Sequence, residues 1–236
     1  MQIIDGAHFD WSQVDTVLLD MDGTLLDLRF DNYFWQEIVP KRYSEIHGIG
    51  LEEAHRELVP RFESRKGTLE WYCLDFWSRE LCIDIARLKE EVDEYIQFLP
   101  DVPEFLIAVR HAGKRLVLVT NAHRDTLAVK TRRTGIGTFF DAMFTSHEVG
   151  VPKEDPRFWE RLQAREPFVP GRTVLVDDSL PVLRSAHHYG ITHLVAIRRP
   201  DSSRPPARVD DFHAVDALPD LGAPRRRDDE DRKSVV

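Results

Sequence analysis

The chain is poor in cysteine, with two in 236 residues, Cys73 and Cys82. So few cysteines exclude a disulfide framework, and their spacing is not that of a zinc site. Free thiols in a reducing compartment are the simplest reading. An excess of basic residues is also missing. There are 32 Lys and Arg against 41 Asp and Glu, a formal net charge of -9. An acidic surface argues against a general nucleic-acid binder and against attachment to anionic membranes. It leaves room for an anionic small substrate, because local charge governs a pocket. Long apolar runs are absent, so no segment approaches a membrane span. The opening MQIIDGAHFDW lacks the basic-then-apolar order of a signal peptide. The expectation is a cytoplasmic protein with no nucleic-acid or membrane partner. No internal repeat is visible.

What is present is a 42% hydrophobic composition, enough for a sizeable core. Thr16–Asp20 (TVLLD), Arg115–Thr120 (RLVLVT), Thr173–Asp177 (TVLVD) and His193–Ile197 (HLVAI) read as buried strands. Each is a short continuous apolar run. Asp141–Thr145 (DAMFT) is a less apolar fifth. Helical patterns separate them at Pro103–His111, Asp125–Arg133, Pro156–Ala164 and Leu180–Tyr189. This alternation predicts an α/β fold with a parallel sheet covered on both faces.

The stretch from Leu28 to Gln97 breaks the rhythm. It holds no convincing strand. Amphipathic helices are expected at Asp31–His47, Leu51–Ser64, Leu69–Leu81 and Asp84–Gln97. It is too long for a βα loop, so an inserted all-helical cap over the C-terminal edge of the sheet is expected. The division is 1-27 and 98-222 for the α/β core, 28-97 for the cap and 223-236 for a charged, disordered tail. Within the tail region, His213–Leu221 is expected to pack on the core.

In open parallel sheets, ligands bind at the C-terminal ends of the strands. Three strands here end in Asp20-Met21-Asp22, Thr120-Asn121 and Asp177-Asp178, and Lys153 precedes a helix. Carboxylates gathered together repel unless a cation sits among them, and an all-oxygen set favours Mg²⁺. An Asp can attack phosphorus, and a second Asp two residues on can move protons. Thr120, Asn121 and Lys153 offer donors for phosphoryl oxygens. Gly23 lets the chain turn sharply toward them.

DMDGT at Asp20–Thr24, VLVTN, Lys153 and VLVDDS at Val174–Ser179 follow in order. Together they resemble the four motifs of the haloacid dehalogenase (HAD) superfamily over roughly residues 14 to 198. The resemblance implies a Rossmann-like three-layer core, HAD-like, with the helical insert as its cap. It also implies Asp20 as nucleophile and Mg²⁺ ligand, and Asp22 as acid/base with its backbone carbonyl on the metal. Thr120, Asn121 and Lys153 would hold the phosphoryl group. Asp178 would bind the metal directly, with Asp177 near it or water-linked. An Asp at position 22 resembles the phosphatases and phosphomutases of the superfamily rather than its dehalogenases or transport ATPases.

Further stretches, DLRFDNYFW, TLEWYCLDFWS, TNAHRDTLAVK and PKED, are similar to those of the bacterial GMP/IMP nucleotidases. That likeness implies a purine nucleoside monophosphate as substrate. Phosphoglycolate, a sugar phosphate, or a non-catalytic nucleotide-binding module are the alternatives. Trp35, Trp71 and Trp77 are expected in the core of the cap rather than on the substrate, because aromatics at helical spacing pack inward. Arg29, Asp31 and Asn32 lie on the link into the cap, within possible reach of a base or ribose. His123 reads as a plain loop residue. The oligomeric state is not legible.

Overall fold

The computed structural model describes residues 9–224. The strands β1 (Thr16–Leu19), β2 (Arg115–Thr120), β3 (Ala142–Thr145), β4 (Thr173–Asp177), β5 (His193–Ile197) and β6 (His213–Val215) form one sheet. Its order is β3-β2-β1-β4-β5-β6, and every pairing is parallel. All five expected strands are present within a residue of their expected ends. The sixth was foreseen only as a segment packing on the core. Val215, Leu218 and Leu221 are buried there.

Apolar residues on both faces of each central strand explain the layers. Val17 and Leu19, with Leu116, Leu118, Val174 and Val176, face one side. Against them pack Leu106 and Val109 of α6 (Val102–His111) and Val129 of α7 (Arg124–Thr134). Leu18, Val117, Val119 and Leu175 face the other side. There they meet α9 (Arg157–Arg165) and α10 (Leu180–Tyr189) through Phe158, Trp159, Leu162, Val182 and Leu183. The result is a three-layer α/β sandwich with β1 at its centre.

Between β1 and β2 the chain is helical: α1 (Arg29–Tyr33), α2 (Val39–His47), α3 (Leu51–Glu63), α4 (Leu74–Leu81) and α5 (Ile85–Glu90). A wide turn at Phe34–Ile38 joins α1 to α2, with the Val39 amide bonded to the Phe34 carbonyl five residues back. Pro40 has no N–H to give Gln36, which accounts for the widened turn. These helices bury their own cluster, including Phe34, Tyr43, Leu58, Trp77 and Leu81. Two expected helices are broken. Leu69–Leu81 splits at Cys73, which is extended between a 3-10 turn (Leu69–Tyr72) and α4. Asp84–Gln97 stops at Glu90, and a further 3-10 turn spans Asp93–Tyr95. Thr68 and Cys73 each accept a hydrogen bond from a backbone amide three residues on, restarting the helix twice.

Residues 200–203 fasten the start of the insert. Leu28 N–H donates to the Pro200 carbonyl at 2.9 Å, and Asn32 Nδ2 to Asp201 Oδ2 at 2.7 Å. The RRRDDEDRK run lies outside the described residues. No described helix is long and apolar enough to cross a membrane.

Candidate active site

Strands β2, β1 and β4 are neighbours in register, so Thr120, Asp20 and Asp177 emerge side by side at one sheet edge. The Asp20 amide still donates to the Val176 carbonyl, at 3.1 Å, which holds it as the last rung of the ladder. The chain then turns back: Leu25 and Leu26 amides both bond the Met21 carbonyl. Gly23 sits in this turn at φ 86°. A Cβ there would lie 2.7 Å from Asp178 Oδ2 and 2.8 Å from Pro200, so glycine is required both by conformation and by space.

Lys153 is the hub. Its ammonium, 2% exposed, donates to Asp20 Oδ1, to Asp177 Oδ2 at 2.7 Å and to the Val119 carbonyl at 3.1 Å. Asn121 positions it. Asn121 Oδ1 accepts from the Lys153 amide at 2.9 Å, and its Nδ2 donates to Glu154 at 3.0 Å. Both ends of the Asn121 side chain are thus engaged by the lysine loop. Thr120 Oγ1 accepts from the Ala122 amide at 3.0 Å.

Asp20, Asp177 and Asp178 offer carboxylate oxygens within 4.8 Å of one another. Burial pushes Asp20 up to about 6 against the pull of Lys153. Burial and the neighbouring carboxylates push Asp178 well above the usual carboxylate range. Such crowding in a low-dielectric site asks for a hard divalent cation, and the all-oxygen donor set fits Mg²⁺. Asp177 already has both oxygens hydrogen-bonded, one by Lys153 and one by the Ser179 amide at 2.9 Å. Asp178 is the more open of the two.

Asp22 was expected, but its partners were not. Lys130 Nζ on α7 bridges Asp22 Oδ1 and Asp31 Oδ2, each at 2.5 Å. Asp31 also accepts from Lys89 of α5, at 2.8 Å. Both lysines are buried. Burial raises Asp22 to about 6, partly offset by Lys130. Burial works on Asp31 in the same direction, but the two lysines prevail and hold it well below the ordinary range. The chain Asp22–Lys130–Asp31–Lys89 therefore runs from the sheet edge into the helical insert. Nothing in the local sequence flags it, since Lys130 and Lys89 look like ordinary helix-surface lysines.

A cavity of about 700 Å³ opens over these groups, walled on one side by Trp35, Phe62, Trp71, Tyr72 and Trp77 of the insert. The tryptophans pack together, edge to face, as expected. They also form one wall of the cavity. Tyr72 OH donates to Glu154 at 2.6 Å, tying the insert to the lysine loop. Asp31 and Asn32 line the cavity while engaged in ion pairing and hydrogen bonding, and Arg29 is exposed. His123 is not a plain loop residue: it is 4% exposed, caps α7 and lines the cavity.

A parallel sheet carrying an Asp-x-Asp turn, a buried lysine and an Asp pair at one edge defines a phosphoryl-handling hydrolase. The haloacid dehalogenase-like hydrolase family model matches residues 14–190, and the chain belongs to that family as an enzyme of the phosphomonoesterase type. It is 41% identical over 192 residues to the GMP/IMP nucleotidase YrfG of Escherichia coli (strain K12), covering 81% of this chain and 86% of that one. It is 29% identical over 173 residues to the pyrophosphatase PpaX of Bacillus velezensis, covering 71% and 76%. Among solved structures, a HAD phosphatase from Thermococcus onnurineus superposes with a TM-score of 0.74 at 25% identity, covering 88% of this chain and 96% of that one.

Proposed function

We propose that the protein is a Mg²⁺-assisted phosphatase that hydrolyses purine nucleoside 5′-monophosphates, GMP and IMP first. The observation that carries this reading is the cavity. It has Asp20, Asp22 and Lys153 at its floor and tryptophans in its wall, within the size range of small-ligand sites. The 41% identity to a GMP/IMP nucleotidase supports the same substrate class. In this reading 1-27 and 98-222 make the catalytic core, 28-97 the cap, and the enzyme works in the cytoplasm.

Asp20 attacks phosphorus in line, and the bond to the ester oxygen breaks. Asp22 gives its proton to that oxygen, and the nucleoside leaves. Asp22 then takes a proton from water, whose oxygen attacks the aspartyl-phosphate and frees Asp20 and inorganic phosphate. Lys153 and Thr120 hold the phosphoryl oxygens, and Asn121 acts mainly by fixing Lys153. A bound Mg²⁺, held by Asp20, Asp178 and the Asp22 carbonyl, would neutralise phosphoryl charge and the crowded carboxylates. The doubly hydrogen-bonded Asp177 serves as support beside it.

Inorganic phosphate is expected from GMP and IMP with Mg²⁺, and none after chelation. The preference over sugar phosphates and phosphoglycolate should be at least about tenfold, the scale a few pocket contacts supply. Preference for a sugar phosphate would overturn the substrate and keep the chemistry. Binding of nucleotide without release at saturating Mg²⁺ would leave a non-catalytic module.

Lys130 gives a second test, because it orients Asp22. Replacing it with Met should lower kcat for GMP, whose nucleoside 5′ oxygen is a poor leaving group unless protonated, by roughly 100-fold. The loss for p-nitrophenyl phosphate, whose leaving oxygen needs no proton, should stay under about tenfold. Equal losses on both substrates would show that Lys130 acts only on the fold.

A further inference from the structure

Away from the carboxylates, three residues distant in sequence meet at the seam between insert and sheet. Cys73 lies between the Leu69–Tyr72 turn and α4, His123 follows β2, and His147 lies in α8 (Ser146–Val149), just after β3. Each offers a ligand atom, and these atoms all lie within 4.8 Å of one another. The imidazoles of His123 and His147 meet edge to face at 4.8 Å. Both ring nitrogens of His147 are buried, and neither has a hydrogen-bond partner. A buried polar atom with no partner is unfavourable, and a ligand at one nitrogen of this ring would relieve it.

We propose that Cys73, His123 and His147 form a second metal site, for a borderline-soft divalent ion such as Zn²⁺, that clips the helical insert to the sheet.

The donor set is one sulfur and two nitrogens, the chemistry that selects zinc over magnesium. Burial holds His147 neutral, at about 4, so its lone pair stays available near neutral pH. Cys73 caps α4, its sulfur accepting from the Phe76 amide at 3.4 Å, which fixes the sulfur at the seam. Asp75 Oδ2 lies 3.8 Å from His123 Nε2, and Asp125 Oδ2 lies 3.4 Å from Nδ1. The Asp125 side faces Nδ1, which leaves Nε2 for the ion, and Asp75 offers a carboxylate oxygen near enough to be its fourth ligand. Because Cys73 belongs to the insert and both histidines to the sheet side, an ion here joins the two parts. Lifting the insert would pull the ligand set apart. A filled site therefore holds the insert down and slows product release.

Cobalt tests this directly. In protein saturated with Mg²⁺, so that the carboxylate site is occupied, Co²⁺ should produce a thiolate-to-metal band in the near ultraviolet. Intense visible bands of a tetrahedral ion should accompany it. Zn²⁺ should bleach them and raise the melting temperature. Cys73→Ser should abolish the thiolate band, and His147→Ala should weaken Co²⁺ binding by about tenfold or more. Cys82→Ser should keep every signal, a control that does not depend on the first two variants folding. No thiolate band in the unaltered protein, or a band that survives Cys73→Ser, would reduce the cluster to packing. The result is independent of which phosphomonoester is hydrolysed.

Discussion

Replacing Asp20 with Asn should abolish hydrolysis and, without metal, make the protein harder to melt at pH 8. The first effect follows from removing the attacking oxygen, with a loss in kcat of roughly four orders of magnitude or more. The second follows from burial. Asp20 rises from an ordinary 3.8 to about 6 in the fold, so the folded state holds its proton more tightly than the unfolded chain. A carboxyl shifted in that direction supports the fold at low pH. The support is lost as pH climbs from about 4 through 6, and at pH 8 the charged group is a burden. Asn removes the burden, a gain on the order of 1–3 kcal/mol after allowing for the weakened Lys153 contact. Thermal melts of both proteins at pH 8 and pH 5, after chelation, measure it. The advantage should be present at pH 8 and shrink at pH 5. Residual turnover near the original rate, or a lower melting temperature at pH 8, would contradict the assignment.

The Lys153→Met variant should be both inactive and severely destabilised. The lysine joins Asp20 and Asp177 in a site where all three side chains are buried. Taking away one partner of a buried ion pair costs about 3–5 kcal/mol, because the charges left behind are neither hydrated nor paired. For a chain of this size that lowers the melting temperature by roughly 6–20 °C. The deficit should be smaller at pH 5, where the stranded carboxylates take up protons, and should be partly repaired by adding Asp177→Asn. A variant that melts like the original at pH 8 would mean that the lysine is not the hub it forms here.

The residues that were readable in the sequence are those whose local pattern is enforced by the fold. TVLL, RLVLV and TVLV are short, β-branched apolar runs of the kind that form strands buried on both faces, and their polar ends fall at the sheet edge for that reason. The parallel sheet was legible in the same runs but its strand order was not, and Asp20, Asp22, Thr120, Lys153 and the Asp pair line one cavity at its edge. What was hidden depends on contacts across the chain. Lys130 reaches Asp22 over 108 positions and Asp31 over 99, and no window of sequence records such a partner. The Cys73–His123–His147 group is hidden for the same reason, since zinc spacing is a local signal and these ligands are far apart. The break at Cys73 was missed because LEWYCLDFW keeps an amphipathic pattern across it. Thr68 and Cys73, as successive caps, decide the matter there.

The tryptophans of the insert have a further consequence. Trp35, Trp71 and Trp77 hold its small core together and at the same time line the cavity above the carboxylates. A lineage under pressure to accept a different leaving group cannot trim these rings freely. Trimming the buried Trp77 opens a void in the insert, a large aromatic-to-small change that costs about 3–5 kcal/mol, and Trp35 and Trp71 pack against the same cluster. Selection for a new substrate would therefore fall first on residues that line the cavity without filling that core, such as Gln36, Glu63 and Lys66. The chemistry at the sheet edge can remain constant while the rim drifts and the aromatic wall stays.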